Sequence, residues 1–110
     1  MSNANFLEVD SYSVTIASTA TPQSILAPSG TVWPFARDVL IRCPSGNTSD
    51  ILVGNRTRQL YTIPKGTDIR LSTIMNRMSQ SGKYTLGEIF IKVGTNSDKA
   101  EILLIEPSND

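Results

Sequence analysis

Between residues 37 and 54 apolar and polar positions alternate, break off and resume. Val39, Ile41 and Cys43 fall on one face of an extended segment and Asp38, Leu40 and Arg42 on the other, the two-residue period of a half-buried strand. Pro44, Ser45, Gly46 and Asn47 then supply a turn, because proline presets one backbone angle, glycine tolerates positive φ and asparagine bonds its own backbone. Ile51, Leu52, Val53 and Gly54 return to β character. The pattern predicts two strands joined as a central hairpin.

The same period recurs on both sides. Over residues 10–17, Tyr12, Val14 and Ile16 oppose Ser11, Ser13 and Thr15, which predicts a first strand; a second is expected over 23–27, bounded by Pro28, Ser29 and Gly30. Pro34 removes a donor from any ladder and holds Trp33 extended. Val32, Trp33 and Phe35 therefore belong at a strand edge or loop, where they either close the end of a core or stand out as an anchor. Residues 55–59 are polar, with Arg56 and Arg58 on one face if the segment is extended. Strands are expected over 60–63 and 68–72, the latter with Ile69 and Leu71 inward, on either side of a tight Pro64-Lys65-Gly66 turn.

Residues 73–87 break the rhythm and predict an excursion with one helical turn, capped by Ser72 and ended by Ser81 and Gly82. The last hairpin is predicted from residues 88–93 and 99–106 across the turn at 94–98. Ile89, Ile91 and Val93 share one face, as do Ala100, Ile102 and Leu104, while Leu103 and Ile105 make the last strand apolar on its other face as well. Such a strand has two covers. The excursion, the N-terminal arm or another subunit could each supply the second.

About eight short strands without a long helix predict an all-β fold, an antiparallel β-sandwich or jelly roll. Residues 1–9 read as an N-terminal arm carrying Phe6, Leu7 and Val9, packed on its own domain or on a neighbour, and residues 10–110 as one sandwich domain. Thirteen serines and eleven threonines in 110 residues fit strands and turns better than helices.

Composition narrows the function. Ten Lys and Arg balance ten Asp and Glu, so no global field draws the chain to nucleic acid or to an anionic membrane. Residues 52–92 nevertheless carry seven positive charges against Asp68 and Glu88, either a solvated face or a polarity suited to an acidic protein surface. Cys43 is the single cysteine, which excludes an intrachain disulfide, and its place on an apolar face marks a structural thiol. With no histidine, the usual triads and histidine-bound metal sites are ruled out. The carboxylates sit at strand ends and polar faces, no GxxxxGK phosphate loop is present, and aromatics do not interleave with basic residues as stacking platforms require. The expectation is a protein that is not an enzyme and has no cofactor and no metal. The first residues lack the features of a secretory signal, and no apolar run approaches the roughly 20 residues of a membrane span, so cytoplasmic synthesis is expected.

The order of pieces carries a resemblance. RDVLIRCPSG, then DILVGN, then LYTIPKGTDIRLS, then GEIFIKV and AEILLIE resembles the small all-β virion proteins of tailed bacteriophages: an arginine followed by alternating apolar residues (37–41), an Ile-x-Val-Gly strand end (51–54), a Pro-x-Gly turn (64–66) and a terminal hairpin (88–105). The resemblance implies a capsid decoration or cement protein, a homotrimer bound to the major capsid protein on the outside of the shell in the virion. Similar sandwiches in tails, baseplates and fibres, or a carbohydrate-binding module using Trp33 and the tyrosines, are the alternatives. On the decoration reading Phe6, Leu7, Trp33 and Phe35 are the expected anchors and Arg56 and Arg58 the polar contacts.

Overall fold

The computed structural model of the chain describes residues 9–17, 19–26, 33–74 and 82–108. Wherever alternation is clean, a strand forms: β1 (Val9–Thr15), β3 (Phe35–Arg42), β4 (Ile51–Gly54), β8 (Phe90–Val93) and β9 (Lys99–Ser108). Shorter pieces are β2 (Gln23–Ser24), β5 (Tyr61–Ile63), β6 (Asp68–Arg70) and β7 (Tyr84–Thr85). A single helical turn, α1 (Leu71–Ile74), and a 3-10 turn over Leu86–Glu88 stand where the rhythm fails. Val9, assigned above to the arm, opens β1; the rest of the arm, including Phe6 and Leu7, lies outside the described residues.

Two antiparallel sheets result. One runs β1-β9-β3-β6, with β7 also paired to β3, and the other β2-β8-β4-β5. Setting the two-residue β7 aside, this is a jelly roll of eight strands, in which the chain winds across both sheets instead of folding back beside itself. The two hairpins expected from sequence, 37–54 and 88–106, are corrected accordingly. β3 and β4, β5 and β6, and β8 and β9 are each split between the two sheets, and among the described strands only β4 and β5 are consecutive and paired. Turn chemistry reverses a chain equally well within a sheet or across to another, so Pro44–Asn47 and Gly94–Asp98 could not tell the two apart.

The inward faces follow the alternation. Val14, Val39, Ile41, Cys43, Ala100, Ile102 and Leu104 from the first sheet and Ile51, Val53, Ile63, Ile91 and Val93 from the second are buried in one core. Ile41 stands between Ile102 and Ile69 in register, a cross-strand row of β-branched side chains whose burial stabilises by roughly 1.5–3 kcal/mol each. Leu71, expected to end a strand, instead opens α1 and is still buried. Leu103 and Ile105 are half-buried on the outer face of the first sheet beside Leu40, above a shallow concavity of about 310 Å³ that Arg42 and Glu101 flank.

Four crossings between the sheets gather at one end of the sandwich. Thr15 pairs with Lys99, Arg42 with Glu101 and Asp68, and Ile51 with Ile63 and Val93. The loops after β1, β3, β5 and β8 therefore share that end. No ladder runs there, so their backbone groups need other partners. Asp98, 7% exposed, provides two of them: its carboxylate accepts from the N–H of Thr48 (2.9 Å) and the N–H of Ser49 (2.8 Å), and also from the Ser49 hydroxyl (2.8 Å). Asn47, also buried, brackets Lys99, its Nδ2 donating to the carbonyl (2.8 Å) and its Oδ1 accepting from the N–H (3.0 Å). The third loop joins in: Gly66 N–H donates to the Cys43 carbonyl and Cys43 N–H to the Thr67 carbonyl. Gly66 adopts φ 79°, the left-handed geometry that the third position of its turn requires. Beside it the Cys43 thiol is buried, and burial raises its pKa, as a structural role requires.

Burial pushes the Asp98 carboxyl upward, but the N–H of Thr48, the hydroxyl and N–H of Ser49 and the charge of Lys65 outweigh it and hold the pKa below the ordinary value. A carboxyl depressed in the fold contributes stability that is complete above its unfolded value, about 3.9, and is lost as pH falls through the lower folded value. Asp98→Ala should cost about 1–3 kcal/mol, since it leaves three part-buried donors unpaired, and Asp98→Asn should flatten the fall in stability below about pH 4. Urea unfolding across pH 2–7 reads both.

Tyr12 fixes the other limb of the pH profile. Its hydroxyl donates to the Ile25 carbonyl, joining β1 to the chain that follows β2, and burial, with the charge of Asp10 second, raises its pKa to about 12. Stability from this group is complete below the unfolded value of about 10 and disappears as pH climbs through about 12. Phenolate absorbance should show a late titration near pH 12 that Tyr12→Phe removes.

Candidate functional site

At the end opposite the crossings the surface is different in kind. Val9 is 60% exposed, Leu26 40%, Leu60 76% and Tyr61 44%, and these are all the large exposed hydrophobics among the described residues. All four are at this end: Val9 pairs with Ile105 near the close of β9, Leu26 follows β2, and Tyr61 pairs with Val53 at the far end of β4. Scattered exposed apolar side chains need no explanation; these four share one end of the sandwich but not one strand edge, Leu26 following β2 and Leu60 and Tyr61 standing at β5, the two outer strands of the second sheet.

The loop from Asn55 to Leu60 carries much of this pole. Asn55 builds it, its Oδ1 accepting from the N–H of Thr57 (2.9 Å) and of Arg58 (2.8 Å) and from the Thr57 hydroxyl (3.0 Å). Gln59 closes it by donating to the carbonyls of Asn55 and Arg56. The loop returns so tightly that a β-carbon on Gly54 would lie 2.0 Å from the Arg58 carbonyl oxygen, which is why glycine ends β4. Arg56 and Arg58 are exposed, as contact residues must be, but they do not share the face of an extended segment. Asn55 bends the backbone, and Arg56 turns over the Phe90 ring at 5.5 Å. Beside that pair Asn55, Thr57, Gly87 and Glu88 line an open hollow of about 330 Å³.

The aromatics expected as anchors are less available. Trp33 is half-buried against the core, and its indole N–H donates to the Asp10 carboxylate (3.0 Å), so it ties the chain before β3 to β1. Phe35 is half-buried within β3. Trp33 and Phe35 share the pole with Arg56 and Arg58, Phe35 opening β3 of one sheet with Trp33 just before it, and the arginines following β4 of the other. Leu26 and Leu60 were not among the candidates, and Tyr61 was one only for a carbohydrate-binding surface. Their signal was present in Leu60, an apolar residue at the junction of a polar loop and a strand, where no alternation assigns it inward.

Among the described residues no three His, Cys, Asp or Glu side chains stand close enough to hold a metal ion, and no helix is long and apolar enough to cross a membrane. Among the described residues Arg37–Glu106 and Arg42–Glu101 pair on the first sheet largely in solvent, where such pairs contribute little stability, and Arg70 pairs with the more covered Asp38. Compared with known protein families, with curated proteins and with solved structures, the chain finds no match in any of the three.

Gly54→Ala tests the loop. The new methyl meets backbone, which cannot swing aside, so the variant should lose about 1–3 kcal/mol and its amides from residue 55 to 58 should exchange faster with solvent.

Proposed function

We propose that the protein is a structural virion component, a decoration subunit that docks on the outside of a tailed-phage capsid shell through the pole bearing Leu26, Leu60 and Tyr61. The observation that carries this reading is the confinement of every large exposed hydrophobic among the described residues to one pole, while the buried carboxylate and amide of the other pole are spent on the crossings. Jelly rolls build viral capsid and lectin domains alike, so the fold agrees with the proposal by analogy only. Arg56 and Arg58, exposed around the apolar residues, give the pole a positive rim for an acidic shell surface.

In this role Leu60 and Tyr61 take the place first given to Trp33 and Phe35, and Arg56 and Arg58 keep theirs. Repeated copies on a repeating lattice add to the affinity of each pole through effective concentration. A tail or fibre location would use the same surface. The carbohydrate reading draws less support, since Tyr12 and Tyr84 turn inward and Tyr61 is the one clearly exposed aromatic among the described residues.

Quantitative mass spectrometry of purified virions should return a copy number in step with the shell protein, whereas a number matching the tail moves the protein there. On shells stripped of the protein, Leu60→Asp and Tyr61→Asp should each weaken rebinding about tenfold or more, with Arg56→Ala reducing it chiefly at low salt. Unaltered rebinding by both aspartate variants would remove this pole from the account.

A further inference from the structure

We propose that two copies of this chain join through β1, edge to edge and antiparallel, about a twofold axis at Ser13. β1 is an outer strand of its sheet, seven residues long, with the sequence VDSYSVT. Edges of that length are ordinarily blunted by charged side chains, proline or a bulge; β1 pairs with β9 without a bulge, has no proline, and carries one charge, Asp10, near its start. The remaining edges are shorter: β2 has two residues, and β5 and β6 have three each.

The hydrogen bonds identify the occupant. At the end of β1, Ile16 N–H donates to the Asp98 carbonyl and Ser97 N–H to the Ile16 carbonyl, so the even-numbered residues of the strand address β9. The odd-numbered residues Ser11, Ser13 and Thr15 then turn their backbone groups outward, away from the sheet. Two of those groups already have partners. Ser11 N–H donates to the Asp10 carboxylate (2.9 Å), and the Thr15 carbonyl accepts from Gln23 Nε2 (3.3 Å). The Ser11 carbonyl, both groups of Ser13 and the Thr15 N–H are left without a partner among the described residues.

This remainder is self-complementary. With Ser13 opposite Ser13 of a second copy, the two serines exchange a pair of bonds, and each Thr15 N–H meets the other copy's Ser11 carbonyl. The groups left facing one another, Ser11 N–H and the opposite Thr15 carbonyl, are the two that Asp10 and Gln23 already satisfy. Shifting the register by two residues in either direction brings an occupied group against a free one. Side chains agree with the same register: Ser13 meets Ser13 and Ser11 meets Thr15 on the outer face, Tyr12 meets Val14 on the inner, and no like charges oppose. The union extends the sheet through β1 of both copies. It is twofold, so it departs from the homotrimer expected above, and it stands independently of any shell.

The test reads mass in solution. The full chain should sediment as a dimer that dissociates on dilution, with the Ser13 and Thr15 amides protected from exchange in the dimer and not in the monomer. Ser13→Lys and Ser13→Glu place like charges at the axis, and each should weaken the dimer at least about tenfold; mixing the two should restore a mixed dimer. Ser13 is exposed, so neither variant threatens the fold. A chain that stays monomeric to about 1 mM, or a dimer indifferent to both substitutions, would overturn the proposal. Shell binding by the monomeric variants separates this outcome from that of the decoration reading.

Discussion

The fold depends on a constraint of backbone hydrogen bonding at the pole where the chain passes four times between sheets. Each crossing strips several N–H and C=O groups of ladder partners. Turn bonds meet part of the need, and two buried polar side chains tie one crossing to another: Asp98 gathers Thr48 and Ser49 from the crossing after β3, and Asn47 brackets Lys99 at the start of β9. The two arrangements are reciprocal, since the loop after β3 reaches for β9 and the loop before β9 reaches back. A charged hydrogen-bond acceptor is stronger than a neutral one, and a buried donor left unpaired costs more than the net value of its bond. Two sheets that share no ladder are thereby fixed in relation to each other before the core side chains add their less directional attraction.

That arrangement also explains which parts of the structure were legible in the sequence. Alternation located β1, β3, β4, β8 and β9 and the inward faces of Val39, Ile41, Ile91 and Ile102, because a period of two is a local property of the strand. Pairing is not local. Pro44 to Asn47 and Gly94 to Asp98 are as suitable for a crossing as for a hairpin, and the deciding bonds join residues about fifty positions apart. Asn47 and Asp98 looked like ordinary turn formers for the same reason: their residue types suit a turn, and only the partner chain reveals that they span one. β7 and the 3-10 turn at Leu86–Glu88 are too short to leave a period at all.

The apolar pole was half legible. A cluster of aromatics around Pro34 and two arginines in a polar stretch could be seen, and all belong to that pole. Burial could not. Trp33 is drawn inward because Asp10, on a strand two neighbours away in the sheet, offers its indole a carboxylate, and Arg56 and Arg58 lose their common face because Asn55 folds the backbone under itself. Leu60 and Tyr61 emerge as the exposed residues because the loop must turn outside the sandwich before β5 can pair, and Gly54 makes that return possible.

The proposed contacts use different physics at different places on the molecule. An edge strand associates by backbone bonds whose spacing fixes register, so a single residue of slip ruins the match, and affinity comes with orientation. An exposed apolar pole associates by area, which tolerates small displacements and gains from repetition. In β1 the internal bonds of Asp10 and Gln23 remove two groups from an otherwise uniform edge and so convert a strand that any extended peptide could join into one that favours its own copy. Since the ladder runs along β1 and the apolar residues cluster beyond its Val9 end, one pairing leaves the other surface open, and a twofold pair would present two such poles at opposite ends of a continuous sheet.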